Sequence, residues 1–158
     1  MKNLLMRLLL MRHGSAALST DDFHRPLTEE GVAGVKSNAK MLRSAQDIPT
    51  RIVASPLIRA QQTAFIMAEE LGLSEKPESL DLICPESDVE AFIEYLAQTS
   101  SRAPAEIILF VSHQPFVGIF MHHLTKVEAF MDTADINCLN ITSFSKDGGE
   151  LKWKIGRN

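Results

Sequence analysis

Three segments able to hold a phosphoryl group stand directly behind runs of apolar residues. Leu8 to Met11 leads into Arg12-His13-Gly14, Arg51 to Ala54 leads through Ser55-Pro56 to Arg59, and Ile107 to Val111 leads into Ser112-His113. An arginine offers a planar, permanently charged fork that matches phosphate oxygens. A histidine beside such a cation stays largely neutral, which leaves a ring nitrogen with a lone pair for nucleophilic attack. Gly14 lets the main chain turn and approach a ligand with no Cβ in the way. Taken singly, His13 and His113 have an ordinary reading as packed structural histidines, and Arg59 as a solvated charge. For His13, the preceding arginine, the following glycine and the position at the end of an apolar run favour chemistry. Arg59 falls in the first turn of an expected helix, where anions are already favoured.

These groups converge only if the apolar runs are neighbouring strands, since ligands of a parallel α/β sheet bind beyond the carboxyl ends of its strands. The alternation of short apolar runs with segments of helical period predicts an α/β layered fold, a mainly parallel central sheet flanked by helices. Leu8 to Met11 reads as the first buried strand. Thr28 caps a helix through about Ala45, with Glu29 and Glu30 near the positive end of its dipole and an apolar stripe of Val32, Val35, Ala39 and Leu42. Arg51 to Ala54 is the next strand, followed by a helix over Leu57 to Leu71 that Gly72 closes. Leu80 to Ile83 is read as a strand, and Ser87 with Glu90 as a capping box for a helix through about Gln98. Ile107 to Val111 is a buried strand and a helix follows from near Pro115 to about Leu124. Strands over Cys138 to Phe144 and Leu151 to Ile155 flank the turn signal Asp147-Gly148-Gly149.

The 158 residues suit a single domain spanning 1–158, with 45% hydrophobic and 23% charged residues as in ordinary globular chains. A net charge of -4 argues against a nucleic-acid partner, which would call for a basic face. Cys84 and Cys138 have no paired spacing, so neither a zinc site nor a disulfide framework is expected, and a reducing, cytoplasmic setting suits them. The opening MKNLLMRLLLMRHG is interrupted by Arg7 and lacks a small-residue cleavage site, so it reads as a core strand rather than a leader. No segment reaches the roughly 18 apolar residues of a membrane helix. His122 and His123 are successive helical positions about 100° apart and cannot share one metal ion. His24 is a loop residue without an assigned task. No metal and no organic cofactor are expected.

Four segments, LMRHGSA, RPLTEEG, ASPLIRAQQTA and VSHQPFVG, occur in this order over most of the chain. They resemble the histidine phosphatase superfamily and, within it, the small SixA-like phosphohistidine phosphatases. The resemblance implies a phosphoglycerate-mutase-like fold, here without a lid, because too few residues lie between the elements to build one. It implies that His13 is the phosphorylated nucleophile and that Arg12, Arg59 and His113 bind the phosphoryl oxygens, with Arg25 as a further phosphate-facing arginine. The glutamate acid of many relatives falls at Leu82 in this chain. The proton donor is then Asp22 or Asp81, with Asp22 preferred because it lies in the matched loop.

The missing acid bears on the substrate. An alkoxide leaving group needs a well-placed acid, whereas a phosphoimidazole protonated on its ring leaves as neutral imidazole. The expected substrate is therefore phosphohistidine on a phosphorelay or phosphotransfer protein. A phosphomonoesterase acting on a small metabolite or sugar phosphate is the other enzymatic reading. A module that recognises phosphate without turnover is the reading of another class, against which the retained His13 argues.

Overall fold

Leu8, Leu9, Leu10 and Met11 are buried one after another, as in a strand covered on both faces. A computed structural model of the chain describes residues 3–102, 106–127 and 129–156, so Met1 and Lys2 of the opening run lie outside the described residues. The strands are β1 (Met6–Arg12), β2 (Arg51–Ala54), β3 (Glu78–Ser79), β4 (Ile108–Ser112), β5 (Ile136–Ile141) and β6 (Gly149–Ile155). The helices are α1 (Glu29–Arg43), α2 (Ile58–Leu71), α3 (Val89–Arg102) and α4 (Phe116–Thr125). All six strands join one sheet in the order β3-β2-β4-β1-β5-β6. The first four in that order run parallel, and β5 and β6 close the other edge antiparallel. This is the expected α/β layered fold.

Alternate residues of a strand face opposite sides of the sheet, so each central strand serves two layers. Leu9 and Met11 of β1, with Leu109 and Val111 of β4, pack with Val35 and Leu42 of α1 and Ala64 and Met67 of α2. Leu8, Leu10, Ile108 and Phe110 face the other way, toward Phe92 and Leu96 of α3 and Phe116 and Phe120 of α4. Two helices on each face thus hold β1, β4 and β2 in register, with Arg12 opposite Ser112 at their carboxyl ends. Thr28 caps α1 as expected, its hydroxyl accepting from the Gly31 N–H at 2.9 Å. Gly72 closes α2 with a φ of 68°, a conformation that favours glycine. Within α1 the buried stripe runs through Gly31 rather than Val32, because the Ser15 carbonyl oxygen occupies the space that a Cβ at residue 31 would need.

Between α2 and α3 the expected strand over Leu80 to Ile83 is not formed. The β3 strand is Glu78–Ser79, and Asp81–Ile83 is a 3-10 turn. The Ser87 hydroxyl causes the difference, accepting from the Cys84 N–H and donating to the Asp81 carbonyl while Ile83 turns into the core. Engaged in this way, Ser87 forms no capping box with Glu90; the Asp88 carboxylate accepts from the Glu90 N–H instead. Helix α3 continues past Gln98 to Arg102. Strand β5 starts at Ile136, two residues before the expected Cys138, because the polar Asn137 is itself buried in the sheet.

Candidate active site

His13 is the first residue beyond β1, and its main chain is tied on both sides. Its N–H donates to the Ser112 carbonyl at 3.0 Å, and the Ala134 N–H reaches the carbonyls of Arg12 and His13. His13 Nδ1 lies 2.7 Å from the Gly14 carbonyl oxygen. A carbonyl can only accept, so Nδ1 carries the hydrogen and Nε2 keeps its lone pair. Arg59 Nε donates to that Nε2 at 3.3 Å. Burial pushes the His13 pKa down to about 4, and the charges of Arg59, Arg12 and Arg25 press the same way against the Gly14 bond. At neutral pH the imidazole is an uncharged base held in one tautomer.

The surrounding groups come from the other two strand ends. Arg59, in the first turn of α2, is 4% exposed and also donates from Nη1 to the Asp22 carbonyl at 2.7 Å. Arg12 donates from Nη1 to the Met131 carbonyl at 3.0 Å and lies over the Phe130 ring at 5.6 Å. His113 follows β4, its ring centroid 5.0 Å from that of His13. Its Nε2 meets the Ser55 hydroxyl at 2.7 Å. Burial first, then His13 and the three arginines, push the His113 pKa down to about 2. Two buried nitrogens at this site have no hydrogen-bond partner among the described residues: Arg12 Nε and His113 Nδ1. Arg12 Nε is a donor, and a buried donor without a partner is costly in a folded protein, a cost that a bound oxyanion would remove.

The 3-10 turn Asp22–His24 carries Asp22 across the mouth of the site. Its carboxylate is bound by Arg25 Nη1 at 3.1 Å and Arg59 Nη2 at 3.4 Å, and these guanidiniums, Arg25 foremost, hold its pKa below the ordinary value. Arg25 is anchored in turn through Nε to the Ala17 carbonyl at 2.8 Å. Asp81 is exposed on the neighbouring turn, where its carbonyl serves Ser87. The cleft beside Asp22 is lined by Phe23, Leu57, Cys84, Pro85 and Glu86, so its second carboxylate is Glu86, a residue without a sequence signal.

Gly14 also has a packing task that the sequence did not announce. Its N–H donates to Thr63 Oγ1 at 3.0 Å, and Thr63 Oγ1 donates to the Arg59 carbonyl at 2.8 Å. A Cβ at Gly14 would stand 2.7 Å from Val35 Cγ2 and 3.0 Å from the Gly31 carbonyl oxygen. The glycine therefore lets α1 close on the His13 loop while its own carbonyl fixes the His13 tautomer. Sequence reasoning also passed over Ser55, Thr63 and Gln114. The Gln114 carboxamide accepts from the Met131 N–H at 3.4 Å, next to the carbonyl that holds Arg12. Each lies inside a quoted motif, but nothing in its type marks a contact with a distant element.

A neutral imidazole lone pair, three arginines and two buried nitrogens without partners together suit a tetrahedral oxyanion presented to a nucleophile. The comparisons agree with that chemistry. Residues 8–81 match the histidine phosphatase superfamily (branch 1). The chain is 28% identical over 151 residues to the phosphohistidine phosphatase SixA of Escherichia coli (strain K12), covering 95% of this chain and 93% of that protein. It is 37% identical over 117 residues to an uncharacterized protein of Picosynechococcus sp., covering 72% of this chain and 69% of the relative. The solved structure of the protein histidine phosphatase SixA complexed with tungstate superposes with a TM-score of 0.85 at 29% identity, covering 95% of this chain and 96% of that one. With a matching family model, a shared fold and a histidine poised among arginines, the chain belongs to the histidine phosphatase superfamily and is a phosphatase.

Proposed function

We propose that this phosphatase transfers a phosphoryl group to His13 Nε2 and then to water, and that its substrate is phosphohistidine on a phosphorelay or phosphotransfer protein. The observation that carries the mechanism is the His13 Nδ1 bond to the Gly14 carbonyl, which leaves Nε2 as the free base beside Arg59. Nε2 attacks phosphorus in line, the leaving group departs with the bonding pair, and water attacks the phosphohistidine in the second step. Positioning and charge stabilisation supply most of the catalysis, as is general for phosphoryl transfer. Arg12, Arg25, Arg59 and His113 are the groups we assign to the phosphoryl oxygens. The scheme uses no metal and no organic cofactor.

The substrate assignment rests on Leu82, which cannot donate a proton and which falls, by the family resemblance, at the place of a glutamate acid. Imidazole leaves without that acid far more readily than an alkoxide does. The name of the Escherichia coli relative supports the same reading, and the tungstate in the similar structure, an oxyanion of phosphate shape, supports a phosphoryl-binding site. Cys84 and Cys138 are both free thiols, which suits the cytoplasm, where we place the protein. Released phosphate measured across phosphohistidine proteins and small phosphoesters side by side tests the assignment. The phosphohistidine protein should have the larger kcat/KM by at least about tenfold, a difference of about 1.4 kcal/mol in transition-state stabilisation. A small sugar or metabolite phosphate with the larger constant would replace it by the phosphomonoesterase reading.

Asp22 is the donor we assign for substrates that need one. Arg25 and Arg59 keep it ionised in the resting site. An incoming phosphoryl dianion competes for both guanidiniums, and its negative charge raises the proton affinity of the freed carboxylate. Asp22→Asn should then slow hydrolysis of alkyl phosphates far more than that of phosphohistidine or an aryl phosphate, steepening the dependence of rate on leaving-group basicity. Equal losses across the series would mark damage to phosphate binding, and would move the donor role to Glu86, Asp81 or water.

A further inference from the structure

Ser55, the residue directly after β2, is fully buried and engaged from every side. Its N–H donates to the Val111 carbonyl at 3.0 Å, and its carbonyl accepts from Gln61 Nε2 at 2.8 Å. Its hydroxyl oxygen accepts from the Leu57 N–H at 3.2 Å and lies 2.7 Å from His113 Nε2. A serine hydroxyl has one hydrogen to give. The Leu57 N–H cannot take it, and His113 Nε2 can. The opposite arrangement, with Nε2–H donating to Ser55, would leave the buried hydroxyl hydrogen without an acceptor among the described residues, at a cost of roughly 1–3 kcal/mol.

We propose that Ser55 is a positioning residue that fixes His113 in the Nδ1–H tautomer, so that the partnerless Nδ1 presents a hydrogen rather than a lone pair to the phosphoryl group. The proposal rests on the assignment of His113 to the phosphoryl oxygens. Ser55 itself touches no substrate. His113 is buried among cations that keep it uncharged, so the neutral ring has one hydrogen to place, and its two nitrogens have opposite characters. With the hydrogen on Nδ1 the ring donates to an oxyanion. With the hydrogen on Nε2 it would direct a lone pair at the same oxyanion, and the contact would turn from attractive to repulsive. The two catalytic histidines are thereby set in complementary states by different partners. The Gly14 carbonyl fixes His13 with Nε2 bare for attack, and the Ser55 hydroxyl fixes His113 with Nδ1 protonated for binding.

Long-range proton–nitrogen correlation NMR of protein labelled with 15N-histidine reads both tautomers in the resting protein, independently of turnover. His113 should show a protonated Nδ1 and a bare Nε2 in the wild-type chain. In Ser55→Ala the signal should move toward the Nε2–H form, with kcat and kcat/KM falling together by on the order of 10- to 100-fold and KM little changed. Inhibition by tungstate should weaken in parallel, and Ser55→Thr, which keeps the hydroxyl, should restore tautomer and rate. A wild-type His113 found in the Nε2–H form overturns the proposal without the need for any variant. So does a Ser55→Ala protein that keeps the Nδ1–H form. A tautomer that switches with no loss of turnover would instead remove His113 from phosphoryl binding, so that the site assignment fails while the Ser55–His113 bond stands.

Discussion

Replacing His13 by alanine should reduce turnover to background, a loss on the order of 10⁵-fold or more, as expected when a covalent nucleophile is removed. No neighbour can take over. His113, with its ring centroid 5.0 Å away, is a neighbouring imidazole, but its Nε2 is occupied by Ser55 and it follows a different strand. The labelled phosphoenzyme should vanish with the activity. In the wild-type protein it should be acid-labile and stable to base, the signature of a phosphorus–nitrogen bond. The fold should persist, because His13 lies at the edge of the core and is neutral at pH 7, so a stability change of no more than about 1–2 kcal/mol is expected from thermal unfolding. A folded His13→Ala protein that releases phosphate at the wild-type rate would remove the covalent mechanism altogether.

That residue was legible in the sequence because a buried parallel strand is a continuous apolar run, and the residue that ends such a run sits at the carboxyl edge of the sheet. Leu8 to Met11 and Ile107 to Val111 mark their own ends in this way, and His13 and His113 are the residues placed just beyond them. Helix ends declared by local chemistry were equally legible, Thr28 through its hydroxyl and Gly72 through its positive φ. The signal failed where a long-range or loop contact overrode the local pattern. Leu80 to Ile83 has the composition of a strand, but the Ser87 hydroxyl draws its second half into a turn.

The functional groups divide along the same line. Residue types able to hold phosphate announce themselves, but the contacts that orient them join distant parts of the chain. Arg12 is held by the Met131 carbonyl, 119 residues away, and His113 by Ser55, 58 residues away. Nothing around Met131 suggests an arginine partner. The packing at Gly14 escaped the sequence for the same reason: its close neighbour is Val35 on α1, a contact that exists only once the helix has folded back over the His13 loop.

Arg59 carries the second large effect, and its geometry separates charge from shape. Its Nε faces His13 Nε2 at 3.3 Å, and its Nη1 and Nη2 reach the carbonyl and carboxylate of Asp22. In the mechanism we propose, a phosphoryl group arriving at His13 enters between these partners, and the guanidinium meets it with at least two N–H groups. The contact strengthens as negative charge concentrates on the transferring group. Arg59→Ala should therefore lower kcat/KM on the order of 10²- to 10³-fold, the usual loss for one oxyanion donor. Arg59→Lys should recover no more than about a tenth of the wild-type value, because an ammonium is a point charge that cannot serve both directions of the fork and is poorly suited to a site this buried. Stability should move far less. Arg59 is desolvated, the Asp22 carboxylate attracts it and the like charge of Arg25 presses against it, and its guanidinium also lowers the pKa of His13 and His113. Removing it trades that desolvation and like-charge cost against the lost contacts to Asp22, so Arg59→Ala should melt close to the wild-type temperature while losing activity. Wild-type kinetics in Arg59→Lys would reduce Arg59 to a remote charge, and a lower melting temperature in Arg59→Ala would make it a structural clamp on the Asp22 turn.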